Sequence, residues 1–81
     1  MRKEIQEFAE MMEKVMSQHD SVKKDSWRTM PLPVLKDLLC AECCEFFQSC
    51  GRREAKDELV DIANICMMIY HKKLDENESM N

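Results

Sequence analysis

Apolar residues recur at spacings of three and four along three stretches of the chain and lose that period between them. Ile5, Phe8, Met12 and Val15 set the first period, which predicts an amphipathic helix over about 2–18. His19-Asp20-Ser21 then brings turn-prone residues, and 19–32 shows no apolar period and reads as a loop. Pro31 and Pro33 announce the next helix, because proline fits a first turn, where its missing N–H costs nothing. That second helix is expected over 33–49, with Gly51, the only glycine, placed to cap its end. A charged turn, Gly51-Arg52-Arg53, leads into a third helix over about 54–74, and the polar tail 75–81 is expected to fray.

Composition narrows what such a chain is for. Its 81 residues suit a single domain whose lone core would be marginal, so a small all-α bundle completed by oligomerisation is expected. Sixteen acidic against twelve basic residues give a net charge of −4, which argues against a general nucleic-acid binder. The longest apolar run, Ile65 to Tyr70, is far below the ~20 residues of a membrane span, so no membrane partner is expected. Five cysteines, an odd number, with no apolar leader behind Met1-Arg2-Lys3-Glu4, point to reduced thiols and a cytoplasmic location. Cys40-x-x-Cys43 invites a zinc reading, but the surroundings are helical and neither Cys50, Cys66, His19 nor His71 supplies a second ligand pair.

The acids of the second and third helices are the unusual feature. With about 100° of rotation per residue, Leu35, Leu38, Leu39 and Phe46 form one stripe, and Glu42 falls in its middle. Glu45 sits at the edge, about 60° round. On the third helix the stripe is Ala55, Ile62, Ile65, Cys66 and Ile69; Glu58 falls within it and Asp61 on its flank. An unpaired buried carboxylate is costly enough to protonate instead. Four carboxylates converging between neighbouring helices therefore call for a cation, and oxygen-only donors suit Mg²⁺ or Mn²⁺. The competing explanation is salt bridging to Lys36, Arg52, Arg53 or Lys56, most of which project onto wet faces.

Glu42-Cys-Cys-Glu45, a short connection, and Glu58-Leu-Val-Asp61-Ile-Ala-Asn64 resemble the paired acidic motifs of the MazG-like, all-α nucleoside triphosphate pyrophosphohydrolases. The likeness runs from about Trp27 to Tyr70. It implies a homodimeric or homotetrameric helical bundle that hydrolyses a nucleoside triphosphate to the monophosphate and pyrophosphate, with Mg²⁺ as cofactor. Glu42, Glu45, Glu58 and Asp61 would map onto the metal-binding acids, with Glu45 the choice for taking a proton from water. Asn64 would bind a phosphate or sugar oxygen. Ala41 stands where many members carry a second acid, and cysteines on the motif helix are unusual in that family.

A triphosphate needs further cations, and the first loop offers Lys23, Lys24 and Arg28. Trp27, the only tryptophan, is placed to stack on a base or to pack over helix ends. Lys72 and Lys73 suit the negative end of the third helix, and the eight methionines suit an adaptable core or subunit interface. Two other functions fit the same residues: a non-catalytic helical interaction or regulatory module, and a metal or redox sensor built on Cys40, Cys43 and Cys44.

Overall fold

The computed structural model describes residues 1–20, 26–48 and 54–80, with the side chains of Asp20, Glu54 and 74–80 left out of account. Among the described residues there are three α-helices and one 3-10 helix, and no strand. The helices are α1 (Lys3–Asp20), α2 (Leu32–Gln48) and α3 (Glu54–Met80), with the 3-10 helix η1 (Ser26–Thr29) between α1 and α2. The chain is thus all-α. None of the described helices is long and apolar enough to cross a membrane.

Local chemistry explains the boundaries. The Pro31 carbonyl accepts hydrogen bonds from Val34 N at 3.0 Å and Leu35 N at 3.3 Å, which makes Pro31 the residue that opens α2. Pro33 falls in the first turn, where no N–H is missed. Within the expected loop, η1 is an element the periodicity did not foresee. It is closed by Met30 N to Trp27 O at 3.2 Å, and the Thr29 hydroxyl donates to the Ser26 carbonyl at 2.9 Å. A single 3-10 turn has no apolar period to betray it. The expected frayed tail is also helical, since α3 continues to Met80. Asp75–Met80 contains neither proline nor glycine to stop it. Lys72 and Lys73 therefore lie short of the last turn, and the dipole explanation given them falls away. Gly51, the expected cap, lies outside the described residues.

Helix α3 is the hub: α1, α2 and η1 all pack against it. Lys72 Nζ donates to the Arg28 carbonyl at 2.7 Å and pins η1 to α3. The buried apolar residues are Trp27, Leu35, Val60 and Ile65, and Leu35 is fully enclosed. The helix projections placed most of the apolar face correctly but erred at three places, one of them Leu38 of the α2 stripe, which is 41% exposed. Cys66, assigned to the stripe, is exposed, while Val60, left off it, is buried. The contact with α3 is thus rotated from the projected axis. On α1, Met12 and Val15 are half-buried, but Ile5 and Phe8 from the same stripe stay 53% and 43% exposed.

Leu35 fills the one fully enclosed position among the described residues, so its truncation leaves a void that the other three buried apolar residues cannot close. Leu35→Ala is expected to cost about 2–5 kcal/mol in urea denaturation, against less than about 0.5 for Lys36→Ala on the exposed neighbouring position.

Candidate functional site

A cavity of about 210 Å³ opens where η1 lies over the three helices. Its apolar wall comes from Val15 and Met16 of α1, Leu35 and Leu38 of α2, and Ile65 and Met68 of α3. Its polar groups are His19, Ser26, Trp27, Glu42, Asp61 and Asn64. Glu42, Asp61, Asn64 and Trp27 were site residues of the sequence reading, and the fold brings all four to this one cavity.

Two of these residues are incompletely satisfied. Asn64 is only 4% exposed; its Nδ2 donates to the Met12 carbonyl of α1 at 3.3 Å, which fixes the amide orientation. Its Oδ1 is then left with no partner among the described residues. Trp27 is 7% exposed and its indole Nε1 is likewise unpartnered there. A buried polar group without a hydrogen bond costs about 1–3 kcal/mol. The pair thus presents one donor and one acceptor within a largely apolar cavity. Asn64 could also be read from sequence as a polar surface residue, and its burial excludes that reading. The Arg28 guanidinium lies 4.6 Å over the Trp27 ring, a cation–π contact that leaves Arg28 exposed beside the cavity.

The acids form one electrostatic group. Burial chiefly raises the Glu42 carboxyl above its ordinary value of 4.5; repulsion from Glu45 and Asp61, a hydrogen bond shared with Glu45, and repulsion from Glu58 add to it. Asp61 is likewise raised, mostly by burial, with Asp57, Glu45 and Glu58 pushing the same way and His19 opposing them. His19, on the last turn of α1, is the site residue that the sequence reading left aside. No spacing signal could have found it, because its relation to Asp61 exists only once α1 lies on α3.

The donor chemistry suits a hard cation, since every candidate ligand atom is a carboxylate oxygen. Among the described residues, however, no group of three or more acidic, histidine or cysteine side chains is gathered closely enough to hold a metal by itself. The acids are neighbours in charge without forming a closed cage. That arrangement does not fit a dedicated all-protein metal site; a hard cation there would have to take further oxygen donors from outside the described residues. Lys36 and Lys56, weighed as salt-bridge partners, are exposed. Lys23, Lys24, Arg52 and Arg53 lie outside the described residues. No protein-family model matches the chain, and no curated protein or solved structure matches it either.

Raised carboxyl values mean that the folded chain binds protons more tightly than the unfolded chain does. Stability is therefore expected to fall as pH rises through the interval above the ordinary carboxylate range. Glu42→Gln, which removes one of these charges, should raise the melting midpoint at neutral pH. The gain should shrink as pH drops below about 4.5, where the wild-type carboxyl is protonated in both states. Thermal unfolding of both proteins across that range checks the sign.

Proposed function

We propose that this chain is a Mg²⁺-dependent nucleoside triphosphate pyrophosphohydrolase of MazG-like type that acts on the cytoplasmic nucleotide pool. The observation that carries the reading is the meeting of two things in one cavity: carboxylates under mutual repulsion, and a buried donor–acceptor pair with nothing to bind. A nucleotide answers both. Its base offers hydrogen-bonding edges to Trp27 Nε1 and Asn64 Oδ1 and apolar faces to the cavity wall, and its phosphates bring the cation that the acids lack. The Asn64 role thus moves from phosphate to the base or a sugar hydroxyl, because its unpartnered atom is a buried acceptor, which a phosphate oxygen cannot satisfy.

Within this reading Glu42 and Asp61, which line the cavity, hold the cation, with Glu45 and Glu58 around them. The cation, when bound, supplies neutralisation of the phosphate charge. Glu45, exposed at the edge of the acid group, accepts the proton of the attacking water. Arg28, exposed over Trp27, and Lys24 on the same connection offer charge to the outer phosphates. Mn²⁺ meets the same oxygen donors.

A second copy of the chain belongs to the proposal. The accessible surface is 6492 Å², roughly a quarter above the ~5,100 Å² usual for a folded monomer of this mass. The Cα radius of gyration is 13.8 Å against about 11.7 Å for a compact chain of this length. Ile5, Phe8 and Met11 of α1 and Phe47 of α2, the last 74% exposed, give that surplus an apolar character. A homodimer or homotetramer covers it, and light scattering should then return a mass of two or four chains rather than one. A monomer at micromolar concentration would remove this part of the reading.

Pyrophosphate release from a panel of ribo- and deoxynucleoside triphosphates with Mg²⁺ tests the activity. One substrate should turn over; Glu42→Gln and Glu58→Gln should abolish turnover while helical circular dichroism is kept. Glu45→Gln should lower kcat on the order of 10²-fold or more. Trp27→Phe, which deletes the indole N–H, should raise KM rather than lower kcat. No release from any nucleotide, in a protein that oligomerises normally, would favour the non-catalytic helical module.

A further inference from the structure

Helix α2 carries a second constellation that the nucleotide reading does not use. Cys40 and Cys44 are one turn apart on α2, and both are exposed. On the helix they lie about 40° from each other and about 160° round from Glu42, so they face away from that acid. Cys43, between them in sequence, is half-buried, and Cys66 is exposed on α3.

The number of donors decides what such a pair can hold. Structural zinc takes four ligands, and no three-ligand group exists among the described residues. Two thiolates alone satisfy only a soft ion content with two-fold coordination, and cysteine sulfur selects Cu(I). From this placement, one turn apart on one exposed face, we infer that Cys40 and Cys44 form a two-coordinate site for a soft monovalent metal ion, with Cu(I) as its occupant. On binding, two S–H bonds break, two S–Cu bonds form and two protons pass to solvent, with no change of oxidation state. The pair accepts the ion without rearranging α2, because i and i+4 side chains already stack along one face. This site does not depend on nucleotide hydrolysis, and its occupancy is read without an activity assay.

The test is an anaerobic titration of the reduced, full-length protein with Cu(I) supplied as its acetonitrile complex, against a chromophoric Cu(I) chelator. One equivalent should be withheld from the chelator by the wild type and by Cys43→Ser, Cys50→Ser and Cys66→Ser. Cys40→Ser and Cys44→Ser should each lose it. Both positions are exposed, and circular dichroism reports whether the serine variants keep their helices. Alkylation mapping of the unmutated protein gives an independent reading: bound copper should protect Cys40 and Cys44 from iodoacetamide while Cys66 stays reactive. Copper freely surrendered by the wild type, copper kept by Cys40→Ser, or loss of the equivalent in Cys43→Ser, Cys50→Ser or Cys66→Ser would each overturn the assignment.

Discussion

The Asn64 amide is the point on which the arrangement turns. One of its two polar ends ties α3 to the backbone of α1 at 3.3 Å, and the other is buried with no partner among the described residues. A fully apolar residue there would forfeit the link between the helices. A fully satisfied amide would leave nothing for a ligand to bind. The half-satisfied state costs about 1–3 kcal/mol, and Trp27 Nε1 adds a second debt of the same kind across the cavity. Four buried apolar residues are a thin core to carry both.

The acids compound this. Glu42 and Asp61 are half-buried among other carboxylates, and both are pushed toward the protonated form. Polar strain and charge repulsion therefore concentrate on one wall of the molecule, where α2 and α3 meet. A sequence selected for stability alone would have spread its carboxylates onto the wet faces, as the exposed Lys3–Glu7 pair on α1 does at 3.9 Å. Instability kept in one place, and relieved when something binds there, is the ordinary mark of a site.

Much of this was legible in the sequence, and the failures have physical causes. Three periods of three and four gave three helices, and Pro31 marked the start of α2 because a proline can open a helix but not continue one. Glu42 was placed rightly against the apolar face because rotation per residue is nearly constant within one helix. Cys66 and Val60 were exchanged because projection fixes angles within a helix but not the direction of its neighbour. That direction is set by tertiary packing. The burial of Asn64 and the role of His19 escaped for a related reason: a polar residue is interior or exterior only relative to partners distant in sequence, here Met12 and Asp61. Ile5 and Phe8 continue a proper stripe that the other described residues leave exposed, because periodicity marks an apolar face without supplying a neighbour for it.

On the proposed readings, helix α2 would hold two chemistries apart on one short element. Glu42 and the exposed thiols differ by about 160° in direction, and they differ as much in hardness. Oxygen donors select hard divalent cations and pair them with phosphate; thiolates select soft ions that phosphate does not hold. A hard cation drawn to Glu42 gains little from Cys40 and Cys44, and a soft ion on those thiols gains little from the acids. Separation by face and separation by hardness reinforce each other, so cysteines can sit on either side of Glu42 in the sequence without contaminating the cavity it lines. Cys44, which looks in sequence like a flaw inside an acidic motif, is in three dimensions a feature of the surface opposite Glu42, with Cys40 beside it.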